Sequence, residues 1–129
     1  VVIDADPQAR ARVETWLSSR GFRVRATADV GPGLDCVRHD AAGVVVLGYA
    51  EGSPALDLIR RLRGRFEPLP LRSPPRIVLL GDGLDEPRAR FARRLGADVV
   101  LRGGGEVEVT EAVRRLAQEC PEQSRGRNP

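Results

Sequence analysis

Four stretches of this 129-residue chain carry side chains that could do chemistry, and each follows a short apolar run. Asp4 and Asp6 flank Ala5 directly after Val1-Val2-Ile3. Gly48, Tyr49 and Glu51 follow Val44-Val45-Val46-Leu47, and Asp82 sits between two glycines after Ile77 to Leu80. Arg102 precedes Gly103-Gly104-Gly105. Carboxylates converging from Asp4, Asp6, Glu51 and Asp82 would suit a hard cation, which takes several oxygen ligands. The plainer reading makes Asp6 a helix cap and the others solvated loop acids, so no metal site is expected. Arg102 could meet an anion, as could the glycine run through its backbone N–H groups, but a solvated arginine and a flexible turn are the expectation. All 21 basic residues are arginine, with no lysine anywhere. Chemistry that needs an ammonium group is therefore closed to this chain.

The elements that must position these residues follow from apolar spacing. Val1 to Ile3 reads as a strand, and Asp6-Pro7 as a helix start with Asp6 at the N-cap. Ala9, Val13, Trp16 and Leu17 recur at helical spacing up to Gly21, which places Trp16 in the core. Phe22 to Ala26 alternates like a strand, and a short helix spans about Gly33 to Arg38. Val44 to Leu47 and Ile77 to Leu80 are unbroken apolar runs, as strands buried on both faces require. Pro54 opens a helix bearing Leu58, Ile59 and Leu62. Glu67 to Pro75, with four prolines in nine residues, reads as irregular loop. Glu86 to Leu95 is an arginine-studded helix, Val99 to Leu101 a fifth strand, and Val109, Val113, Leu116 and Ala117 mark a last helix. Strands alternating with helices define a parallel α/β sheet in one domain, residues 1–119. The polar residues 120–129 are expected to be a disordered tail or linker.

In such a sheet, function collects at the carboxyl ends of the strands. Val2-Ile3-Asp4-Ala5-Asp6-Pro7 followed by an amphipathic helix resembles the opening of a bacterial response-regulator receiver domain. Leu95-Gly96-Ala97-Asp98-Val99-Val100-Leu101-Arg102 is similar to that family's fifth-strand signature, Leu58 to Arg63 to its third helix, and Pro75 to Leu80 to its fourth strand. The resemblance implies a flavodoxin-like doubly wound sheet of strand order 2-1-3-4-5. It also implies a phosphorylation pocket, and there the residues depart. The phosphoacceptor position falls on Gly48, the acidic pair on Asp4 and Ala5, the switch hydroxyl on Leu80, the lysine on Gly103 and the switch aromatic on Val100. Phosphoryl transfer needs a nucleophile, positioning and charge neutralisation. With all of these reduced at once, the expectation is a degenerate pseudo-receiver that is not an enzyme and takes no cofactor.

Its expected work is phosphorylation-independent protein contact, in two-component-type signalling or transcription control, with an attached output domain, a protein partner or a second copy. The expected surface holds Arg90, Arg94, Val100, Arg102 and arginines 114 and 115. A second reading compares Asp4-Ala5-Asp6 and Gly81-Asp82-Gly83 with the haloacid-dehalogenase-like phosphatases, which they resemble. That resemblance implies Asp4 as nucleophile, Asp6 as general acid/base and Asp82 on Mg²⁺. Gln8 where that family has threonine, and the missing lysine, count against it.

Composition narrows the field further. Hydrophobic residues at 41% and charged residues at 30% argue against disorder, and no apolar run is long enough to cross a membrane. Two cysteines make no disulfide framework, so a cytoplasmic setting is expected, and Cys36, Cys120 and His39 read as structural. The arginines at 60, 61, 63, 65, 88, 90, 93 and 94 read as a salt-bridged solvent face. At a net charge of +3, nucleic acid is expected only through an attached domain.

Overall fold

A computed structural model describes residues 1–40, 43–50, 52–63 and 75–119. The described residues form a parallel sheet of strands β1 (Val2–Ile3), β2 (Ala26–Thr27), β3 (Val44–Gly48), β4 (Arg76–Leu80) and β5 (Val99–Leu101). Between and after them run helices α1 (Pro7–Ser19), α2 (Val30–Asp40), α3 (Ala55–Leu62), α4 (Glu86–Leu95) and α5 (Glu106–Gln118). The strand order is β2-β1-β3-β4-β5, the flavodoxin-like arrangement expected.

The unbroken apolar runs of β3 and β4 are buried on both faces because each face carries its own core. Val45 and Leu47 of β3, with Ile77 and Leu79 of β4, pack under the residues of α2, α3 and α4. Val46 and Val78 turn the other way, against Val13 and Leu17 of α1 and Val109, Val113 and Leu116 of α5. Each fully buried aliphatic side chain contributes roughly 1.5–3 kcal/mol through the water it no longer orders. Trp16 is half-buried and packs on the α1–α5 side.

Two elements differ from the sequence reading. The second strand lies at Ala26–Thr27 rather than Phe22–Ala26, because its partner β1 is only Val2–Ile3 and pairs with those two residues alone. Phe22 and Val24 still pack on the core, so their alternation reports burial without pairing. The second helix begins at Val30, ahead of Gly33. Gly31, Pro32 and Gly33 are poor helix formers and hide the first turn. Gly33 is nonetheless held close to the sheet, where a Cβ would come 2.7 Å from Ile3 Cγ1. The expected loop over 67–75 and the tail from Cys120, along with Glu51 and Arg65, fall outside the described residues or, in the loop's case, are described only at Pro75.

The end of the sheet where β4 and β5 begin is tied by one arginine. Arg63, just after α3, donates from Nε and Nη2 to the Gly96 carbonyl and from Nη1 to the Pro75 carbonyl. Its Nη2 also meets Asp98 Oδ2 at 2.8 Å, and the same oxygen accepts the Ile77 N–H at 2.7 Å. Both side chains are largely shielded, at 19% and 21% exposure, so these charge-assisted bonds are stronger than exposed ones. They hold α3, α4 and β5 in one frame at the end of the sheet opposite the candidate site.

Candidate functional site

Parallel register brings the strand ends together. Ile3 pairs with Leu47, Gly48 with Leu80, and Leu80 with Leu101. Asp4, Gly48, Gly81 and Arg102 therefore line one edge, as the sequence implies.

At that edge Asp4 lies against Gly48. A Cβ built on Gly48 would lie within 2.7 Å of all three atoms of the Asp4 carboxyl group. No side chain at position 48 could coexist with this placement of Asp4. The carboxyl is held there by the Asp6 N–H, which donates to Asp4 Oδ1 at 2.9 Å. Arg10 Nη1 adds a bond to the Asp4 carbonyl at 2.9 Å. Burial pushes the Asp4 carboxyl above its ordinary value. The hydrogen bond from Asp6 N–H pulls it down, the Asp6 carboxylate adds to the rise, and Arg10 and Arg12 oppose it.

Asp6 is a helix cap. Its Oδ1 accepts the N–H groups of Gln8 and Ala9 at the start of α1, at 3.0 and 3.5 Å. Ala5 offers no ligand. Asp82 is exposed, with Oδ1 3.1 Å from where a Cβ on Gly103 would stand. Among the described residues no three acidic, histidine or cysteine side chains converge as a metal cluster would need. A divalent cation does not fit this edge: one carboxyl is turned into the strand, one caps a helix, and the position between them is alanine.

The remaining positions expected to form the pocket are apolar residues or glycine. Leu80 packs with the α1–α5 core and Val100 with the opposite core. Gly103 adopts φ +87°, a left-handed conformation in which lysine would be strained. Backbone as well as side chain departs there from a cation-bearing site.

The expected interaction residues divide. Arg102 is exposed at the strand end, as expected, and is also engaged: its Nε donates to the Leu84 carbonyl at 2.8 Å and its Nη1 to Glu86 at 2.9 Å. It fastens the start of α4 to the end of β5, because the β4–α4 loop presents a carbonyl and an acid where the guanidinium fork reaches. Arg114 hydrogen-bonds Glu111 one turn back, which lowers the Glu111 carboxyl and raises Arg114. Val100 is half-buried on the core rather than offered outward. Arg90, Arg94 and Arg115 are exposed. Cys36 is a free thiol, and His39 is exposed on α2. The expected salt-bridged face is partly present, with Arg60–Asp57, Arg88–Asp85 and Arg93–Glu86 pairs.

Two features escaped the sequence reading. Arg63 and Asp98 meet across a sequence separation of 35 residues, which no local pattern signals. Phe91 is 41% exposed, although it stands in a helix whose other apolar residues are buried. Its displacement from the Ala89–Ala92–Leu95 stripe was the available clue.

No family model matches the chain, and no curated protein does. Solved structures do match. The receiver domain of the putative response regulator NarL from Mycobacterium tuberculosis is 24% identical with a TM-score of 0.74, covering 91% of this chain and 93% of that one. A response-regulator receiver domain from Bermanella marisrubri is 20% identical with a TM-score of 0.77, covering 90% and 94%. NtrX from Brucella abortus, solved with ADP, is 17% identical with a TM-score of 0.76, covering 98% of this chain and 28% of that one. The chain has the fold of response-regulator receiver domains.

Proposed function

We propose that this chain is a receiver-like signalling module of the two-component type that acts through protein–protein contact and without phosphorylation. The observation that carries this reading is the Asp4 carboxyl lying in the space of a side chain at Gly48. The position that would take the phosphoryl group has no oxygen, and its space is filled from the neighbouring strand. The Arg102 bonds to Leu84 and Glu86 support one fixed arrangement of α4 against β5. A surface with one arrangement is constitutive, because no pocket event shifts its population.

In this reading the contact surface lies on α4, β5 and α5, with Arg90, Arg94 and Arg115 as its exposed cations. The module is residues 1–119, joined through 120–129 to an output domain or acting on a protein partner or second copy in the cytoplasm. NtrX, matched over 28% of its length, is a precedent for such a domain within a longer chain. Among the described residues no helix is long and apolar enough to cross a membrane. Nucleic acid enters only through an attached domain, and the chain performs no catalysis of its own.

The test is the amide NMR spectrum of the chain with and without beryllofluoride and Mg²⁺. The expected result is superimposable spectra. Shifts at residues 48, 80–84 and 99–103 would show a pocket still able to signal and would overturn the reading.

A further inference from the structure

The side chains of α4 locate a contact more narrowly and describe what it fits. Pro87, Arg90, Phe91 and Arg94 recur at i, i+3, i+4 and i+7 and so share one stripe of the helix. All four are exposed, while Ala89, Ala92 and Leu95 turn into the core. Phe91 is one of two large apolar side chains exposed in this way among the described residues. The Arg60 guanidinium of α3 lies over its ring, 5.5 Å from the centroid. Phe91 therefore marks the α3 edge of this exposed stripe, whereas Glu86 and Arg93 lie on the flank that reaches Arg102.

Arg90 and Arg94 differ from their neighbours. Arg88 meets Asp85, Arg93 meets Glu86 and Arg60 meets Asp57. Neither Arg90 nor Arg94 meets a carboxylate among the described residues. Two uncompensated guanidinium groups one helical turn apart, beside an aromatic ring, complement two carboxylates at the same spacing beside an apolar side chain. We infer that the exposed stripe of α4 docks an acidic amphipathic helix of another protein, its apolar side chain on Phe91 and its carboxylates on Arg90 and Arg94. This rests on the reading of the chain as a protein-contact module and names the partner's chemistry.

The other occupants fit less well. In a second copy the other large apolar side chain exposed among the described residues is Val107, and the acids around it are already engaged. Glu106 pairs with Arg20, Glu108 accepts the Gly105 N–H, and Glu111 holds Arg114. A nucleic acid would want several stacking platforms and an unbroken positive field. Here there is a single ring already beneath a guanidinium, with Asp57 and Glu86 on its flanks.

The experiment titrates a synthetic helical peptide, leucines on one face flanked by glutamates, into the isotope-labelled chain. A lysine-for-glutamate peptide and a DNA duplex are run beside it, and sedimentation reports self-association. The expected result is amide shifts at Arg60, Arg90, Phe91 and Arg94 with the acidic peptide alone, on a monomeric chain. Phe91→Ser, and Arg90→Glu with Arg94→Glu, should each weaken binding about tenfold or more. Both variants should keep the wild-type melting temperature closely, since the positions are exposed. Equal binding of the lysine peptide, preference for DNA, a dimer abolished by Phe91→Ser, or shifts confined to another face would each overturn this docking site. None of those results touches the phosphorylation-independent reading, which fails instead if the peptide-free spectrum responds to beryllofluoride.

Discussion

The carboxyl group of Asp4 and the bare Cα of Gly48 occupy one site between them: a Cβ on Gly48 would fall within 2.7 Å of every atom of that carboxyl. Glycine at the end of β3 thus does more than omit a functional group. It lets the acid of the neighbouring strand fold inward and take up a hydrogen bond from the Asp6 N–H.

That relationship sets the effect of adding one methyl group. Gly48→Ala must turn Asp4 out of its place and give up the bond to Asp6, at a cost of about 1 kcal/mol. In an Asp4→Ala background the same substitution should cost less, so a double-mutant cycle by urea denaturation should show coupling of about 0.5–3 kcal/mol. Additive effects would mean that Asp4 and residue 48 do not share this space.

The titration of Asp4 gives a pH signature. Burial holds its folded value above the ordinary 3.8, so the native state disfavours the charged form. Relative to the unfolded chain, the contribution of Asp4 to stability is most favourable below 3.8 and is lost as pH rises through the folded value. Asp4→Asn keeps an acceptor for the Asp6 N–H without the charge. It should raise the melting temperature at neutral pH, with an advantage that fades as the pH falls below the unfolded value. An advantage that grows in acid would contradict the sign.

Much of this was legible in the chain because period and punctuation agree. The apolar runs of β3 and β4, the Asp6-Pro7 helix start and the Ala89–Ala92–Leu95 stripe all read directly from spacing. The identities at the expected pocket positions, Gly48, Ala5 and Gly103, were legible as well, since no fold can alter them. What stayed hidden depends on neighbours in space. Phe22 and Val24 alternate like a strand, but β1 is too short to pair with them. Arg102 looks like any exposed arginine until the Leu84 carbonyl and Glu86 appear beside it. The inward turn of Asp4 follows from the absence of a side chain on another strand, which only register reveals.

The Arg63–Asp98 tie predicts a stability effect far from the functional edge. Asp98→Ala leaves the Ile77 N–H and part of the Arg63 fork without a partner. Urea denaturation should show a loss of about 2–3 kcal/mol, in the range of charged hydrogen bonds. Asp98→Asn, which keeps an acceptor, should lose less. Equal losses in the two variants would mean the bonds to Asp98 contribute little.

Whether the edge of this sheet accepts a phosphoryl group is decided by intact-mass spectrometry after incubation with acetyl phosphate and Mg²⁺. The expected result is an unmodified mass, for the wild type and for Asp4→Asn alike. A wild-type species carrying one added phosphoryl group, absent from Asp4→Asn, would contradict it and would make Asp4 the acceptor that Gly48 cannot be.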